Sequence, residues 1–142
     1  MADAGRFDHF IAAQESIYKA VLAELGNGRK ASHWMWFVFP QLRGLGRSGT
    51  AQFYGIDDLE AARAYLRHRT LGQRLIACTR LVNAIEGRTA REVFGSPDDL
   101  KFRSSMTLFG RADRTIREFP AALRKYYAGI EDPQTLELLG LG

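Results

Sequence analysis

Lys30-Ala31-Ser32-His33-Trp34-Met35-Trp36-Phe37-Val38-Phe39-Pro40-Gln41 holds both tryptophans of the chain, two of its nine phenylalanines and one of its three histidines. From Trp34 to Phe39 both alternating faces are apolar, so periodicity does not separate a buried strand from a short buried helix. Ser32 is placed to cap a helix starting at His33. Pro40 drives Phe39 out of helical geometry and limits such a helix to about two turns. Little else in the chain reads as strand, so the short helix is adopted and with it a mainly α-helical fold. Large rings beside a lysine, an imidazole and a glycine-rich turn make this segment both core and pocket wall.

Upstream, Phe7, Phe10, Ile11, Ile17, Tyr18, Val21, Leu22 and Leu25 recur at three-and-four spacing, which predicts one helix stopped by Gly26 with Glu24 on its polar face. Downstream, Asp57-Asp58 opens a helix that ends in Arg67-His68-Arg69, and Thr70 caps another carrying Leu71, Leu75, Cys78, Val82 and Ile85. Thr89-Ala90-Arg91-Glu92 is a capping-box sequence for a short helix ending at Phe94-Gly95. Ser96-Pro97-Asp98-Asp99 is a second start signal, for a helix reaching Phe109 and ended by Gly110. A helix from about Arg114 to Tyr127, bent at Pro120, and a last one from Asp132-Pro133 through Leu139 complete the series. The sum is a single compact helical domain of about seven helices over residues 1–142, with its core from about 7 to 139.

The totals agree with one domain: 142 residues, 46% hydrophobic and 25% charged, with no low-complexity tract. The net charge of +4 suits a phosphate-bearing ligand, but the arginines are scattered from Arg6 to Arg124, which argues against a nucleic-acid surface. A lone Cys78 excludes an internal disulfide and a thiolate zinc site, and His9, His33 and His68 lack metal-ligand spacing, so neither metal nor cofactor is expected. No apolar run approaches the roughly 18 to 20 residues of a membrane span, and the first residues carry no leader-like apolar stretch, so a cytoplasmic protein is expected. Oligomeric state is not legible.

Gly44, Gly46 and Gly49 formally match G-x-G-x-x-G, yet that fingerprint needs a preceding strand and an immediate helix, and Thr50 to Ile56 lacks helical amphipathicity. An irregular connection, or a loop whose amides hold an anion with Arg43 and Arg47, are the readings left open. Asp98, Lys101, Ser104 and Ser105 recur at three-and-four spacing, placing a carboxylate, an ammonium and two hydroxyls on nearby parts of one helix. The first-turn acids also have a plain dipole-complementing role, and the serines admit close helix packing. His33 beside Trp34 is either a satisfied core histidine or a titratable group at a ligand pocket.

Lys30-x-Ser-His-Trp-Met-Trp-Phe-x-Phe-Pro-Gln41, Gly44-Leu-Gly-x-Ser48, Tyr54-Gly-Ile56, Leu71-Gly-x-Arg-Leu75 and Phe94-Gly-x-x-Asp-x-x-Lys-x-x-Ser-Ser-Met-Thr-Leu-Phe109 resemble a bacterial family of small domain-of-unknown-function proteins, sometimes mislabelled calpastatin. The likeness runs from Phe7 to about Tyr127 and implies a mainly helical fold without an established activity. Arg69-Thr70 departs from it, standing where the family pattern has a histidine-proline pair. The tryptophan segment and the later aspartate-bearing glycine turn are also similar to the NAD- and ADP-ribose-associated superfamily, some of whose members hydrolyse N-glycosidic bonds.

These resemblances and residues together predict binding of a phosphorylated nucleotide-like molecule, such as an ADP-ribose derivative, with N-glycoside hydrolysis as the enzymatic version. Trp34 or Trp36 would stack on the base, while Lys30, Arg43 and Arg47 meet phosphate. Lys101, Ser104 and Ser105 would bond ribose or phosphate. Asp98, with His33 beside the indoles, would carry the catalysis by stabilising an oxocarbenium-like transition state or orienting water. On that view Asp98→Asn leaves folding intact and removes turnover. The alternative is a non-enzymatic protein-interaction module whose motifs are core. Its signature is complete burial of Trp34, Trp36, Asp98 and Lys101, with the charged pair satisfying itself and no polar cavity beside them.

Overall fold

The computed structural model describes residues 5–142. Ten helices lie among them: α1 (Asp8–Glu15), α2 (Tyr18–Gly26), α3 (Met35–Val38), α4 (Gly49–Phe53), α5 (Leu59–Arg67), α6 (Arg69–Ala84), α7 (Ala90–Phe94), α8 (Asp98–Ala112), α9 (Glu118–Tyr127) and α10 (Pro133–Leu138). The mainly helical, single-domain expectation holds, but the number of helices is ten rather than about seven. None is long and apolar enough to cross a membrane.

Two of the additional helices have local causes. The expected long first helix breaks at Ser16-Ile17, where a serine competes poorly as a helix-interior residue. The break lets α1 bury Phe10 while α2 buries Val21 and Leu25. The segment after Gly49 also turns helical, against its weak amphipathicity, because Ser48 Oγ accepts the Ala51 amide as an N-cap. Ahead of α4 there is only an isolated bridge between Leu42 and Ile56, so the glycine triplet lacks the strand a dinucleotide loop requires.

Helix starts match the expectation where the cap is local. Asp58, Thr89 and Asp132 each accept an amide from three residues on, and Thr89 with Glu92 forms the reciprocal capping box. Other starts differ from expectation. His68, not Thr70, caps α6: its Nδ1 accepts the amides of Thr70 and Leu71 at 3.2 Å. The chain enters α8 through Pro97, whose carbonyl accepts from Leu100 and Lys101, and Ser96 makes no cap bond. Pro120 falls in the first turn of α9, where its missing N–H costs nothing, so that helix starts late and is not bent there.

Gly110 does not end α8, which runs on to Ala112. This helix is the centre of the molecule. Every residue from Ser104 to Phe109 is buried, as expected for a helix covered all round, and α3, α5, α7, α9 and α10 pack against it. Phe39, Phe94 and Phe102 form a ring cluster at its N-terminal half, with Phe39 edge-on to Phe102 at 4.9 Å. Asp98 and Lys101 therefore stand at the solvent-facing end of the most buried element.

Candidate functional site

The aromatic segment is held in place by a residue outside it. Glu24, near the end of α2, accepts from the amides of Ala31 (2.7 Å) and Ser32 (2.9 Å), the Ser32 hydroxyl (2.6 Å) and Trp34 Nε1 (2.8 Å). Burial opposes its charge, but the donors from Ser32, Ala31 and Trp34 outweigh that and hold the carboxyl down at about 2. Ser32 is thereby committed to Glu24 and caps nothing, so α3 begins at Met35 instead of His33. Glu24 is a partly buried anchor, not the plain polar-face residue the helical pattern implied.

This anchoring sets Lys30 against the start of α8. Its amide donates to Val93 O at 2.7 Å, and its ammonium meets Asp98 Oδ2 at 2.9 Å. Lys101, one turn along α8, reaches the other carboxylate oxygen at 3.3 Å. The side chains are 8% (Lys30), 20% (Asp98) and 21% (Lys101) exposed, so one carboxylate carries two ammonium groups on largely buried side chains and the three together keep a net positive charge. Each lysine also lies over an indole, Lys30 at 5.2 Å from the Trp34 ring and Lys101 at 3.8 Å from the Trp36 ring. The cation-indole contacts spread the positive charge over ring faces without cancelling it.

The other nominated residues divide. Trp34 is 0% exposed, so neither of its faces is open to a base. Trp36 is partly exposed and borders Gly46, where an added Cβ would sit 3.8 Å from the indole edge. Ser105 is sealed in the core, and its hydroxyl has no partner among the described residues. Ser104 bonds Leu100 O and Asp132 Oδ2, which ties α8 to the cap of α10. Arg43 is spent on Asp57 and on the carbonyls of Gln52 and Gly55, and Arg47 is exposed with its carbonyl accepting from Gln52. His33 is exposed in the bend before α3. Lys30, Trp34, Trp36, Asp98 and Lys101 thus come together, Trp34 as a buried ring against Lys30, and Ser104, Ser105, His33 and the two arginines are not joined to them by any of these contacts.

Lys30 has a second neighbourhood that the pattern of the sequence did not suggest. It lines a hollow of about 370 Å³ together with Arg29, Arg88, Arg91, Glu92, Val93, Phe94 and Gly95. That volume lies within the roughly 300 to 1,000 Å³ of small-ligand clefts. Gly28-Arg29-Lys30 and Gly87-Arg88-Thr89-Ala90-Arg91 are two glycine-arginine turns, and that pairing was the available signal. A separate hollow of about 220 Å³ is walled by Gly110, Arg114, Pro120, Leu123, Arg124, Gly129 and Glu131.

Residues 5–139 match the model of a family described as "Protein of unknown function (DUF1810)", and the chain belongs to that family. It is similar to the conserved hypothetical protein Rv1873 from Mycobacterium tuberculosis, whose crystal structure superposes with a TM-score of 0.93 at 56% identity, covering 95% of this chain and 96% of that one. No curated protein matches the chain. The family and the neighbour carry the fold, and neither description names a ligand or a reaction.

Proposed function

We propose that this protein binds a phosphorylated, nucleotide-like small molecule at the centre formed by Lys30, Asp98, Lys101 and Trp36. The observation that supports this reading best is the charge imbalance of that centre: two ammonium groups on largely buried side chains share a single carboxylate beside a partly exposed indole. An anion arriving there completes the neutralisation of the lysines, and the exposed part of Trp36, whose ring already carries Lys101, is available to the edge of a flat ring. The resemblance expected from the sequence to the NAD- and ADP-ribose-associated superfamily would imply the same ligand class.

Binding is favoured over N-glycoside hydrolysis. Both oxygens of Asp98 are engaged by lysines, whose charges offset the carboxylate and weaken its pull on a sugar cation. His33 stands exposed before α3 and adds no base to the carboxylate. The interaction-module reading is favoured by the burial of Trp34, the sealing of Ser105 and the pairing of Asp98 with Lys101. Its signature also demands buried Trp36, Asp98 and Lys101 and no polar cavity, whereas these three are partly exposed and a basic hollow adjoins Lys30.

Thermal shift against a panel of nucleosides, nucleoside phosphates and ADP-ribose tests the reading. Phosphorylated compounds raise the melting temperature of the wild type, and the rise shrinks in a folded Lys101→Met protein. A flat response across the panel at saturating concentration overturns it.

A further inference from the structure

We infer that the hollow between the Gly28–Lys30 turn and α7 is a diphosphate-binding site, supplied by Arg29, Lys30, Arg88 and Arg91. Four cationic side chains line it against one carboxylate, Glu92. That carboxylate is already committed: Glu92 Oε1 accepts the Thr89 amide at 2.8 Å while its own amide donates to Thr89 Oγ1 at 3.1 Å. Those Thr89 hydrogen bonds, aided by the charge of Arg88, hold the Glu92 carboxyl below its ordinary value.

None of the guanidinium groups of Arg29, Arg88 and Arg91 has a hydrogen bond or ion pair to a carboxylate among the described residues. Arg43, Arg80 and Arg111 show the contrast, each held by an acid within 2.9 Å. Unpaired guanidiniums repel one another, and the fold nevertheless brings these to one concave surface. The Lys30 amide is stitched to Val93 O, and Gly28, at φ +77°, leaves room for Arg88 against the turn: a Cβ there would lie 3.4 Å from its Nε. A group with two adjoining phosphates presents oxygens to several donors at once and carries the charge to balance the excess, which guanidinium forks match in geometry. Lys30 joins the hollow to the Asp98 carboxylate, so a ligand anchored here by its diphosphate has its remainder beside that centre.

This inference rests on the phosphorylated-ligand reading and extends it to named residues outside the motif. Calorimetric titration with inorganic pyrophosphate, orthophosphate and a single-stranded oligonucleotide tests it on the wild type, Arg91→Ala, Arg29→Ala and the exposed-arginine control Arg117→Ala. Far-ultraviolet circular dichroism checks the fold of each variant. Pyrophosphate binds with one-to-one stoichiometry and more tightly than orthophosphate, and Arg91→Ala and Arg29→Ala each weaken it by about tenfold while Arg117→Ala leaves it unchanged. Equal loss in all three variants, or an oligonucleotide that binds tighter than pyrophosphate, overturns the inference. If nucleoside phosphates still bind and depend on Lys101 while pyrophosphate does not bind, the inference falls and the broader reading stands. If pyrophosphate binds as expected and Lys101→Met leaves nucleoside phosphate affinity unchanged, the diphosphate site stands and the centre beside it is structural.

Discussion

Glu24 shows most plainly what one residue does here. Its carboxylate gathers donors from residues seven to ten positions away and so orients the whole indole segment. Glu24→Gln loses the charge that favours these bonds and is expected to destabilise the fold by about 2 kcal/mol, read as a lower midpoint in urea unfolding. The same bonds fix a pH dependence. The carboxyl lies near 2 when folded against a reference value of 4.5, so its contribution is fully present above about 4.5 and is lost as the pH falls from there towards 2. Urea midpoints measured across that window fall less steeply in Glu24→Gln than in the wild type.

Asp98 was legible as a helix-start acid with Lys101 one turn on, because both lie on one element. Its partner Lys30 was legible only as part of the motif, since nothing in local periodicity relates residues so far apart. That missing contact changes the outcome expected for Asp98→Asn. With Lys30 8% exposed, neutralising its carboxylate partner costs about 2 kcal/mol, so the variant melts lower instead of keeping wild-type stability. An unchanged melting temperature contradicts the paired geometry.

At the scale of elements, the helix starts that were legible are those whose caps satisfy amides within three residues, as Asp58, Thr89 and Asp132 do. Ser32 and Thr70 failed as caps for a common reason: a better partner or a better acceptor lies nearby, Glu24 for the first and His68 for the second. Propensity signals cannot rank such competitors. Thr89→Ala removes one half of the capping box, which is expected to cost about 1 kcal/mol in chemical denaturation. Gly72 marks the junction of α5 and α6, where an added Cβ would stand 2.1 Å from the carbonyl oxygen of Leu66. Backbone must move to admit it, so Gly72→Ala destabilises by about 3 kcal/mol, at the upper end of overpacking costs. Gly49→Ala, with nothing within 4 Å of the new methyl, is the matched control and meets no such clash.

Across the whole molecule, the helical class and single domain followed from apolar spacing, because burial of one stripe per helix is a property of the entire chain. The number of helices did not, since breaks such as Ser16-Ile17 depend on which neighbour each half finds. The charge of +4 looked like scattered surface charge in the linear order, yet two glycine-arginine turns separated by the α3 to α6 stretch meet around Lys30. Electrostatic attraction on this scale is screened by salt over a Debye length of about 8 to 10 Å, so raising ionic strength weakens any phosphate ligand. The proposed function requires Lys30, Asp98, Lys101 and Trp36 to be a ligand site and not only a structural joint. Calorimetric titration of a nucleoside diphosphate into the wild type and a folded Trp36→Leu variant tests it most directly. Saturable one-to-one binding that weakens markedly in Trp36→Leu is the predicted result, and no binding by the wild type, or equal affinity in the two proteins, would contradict it.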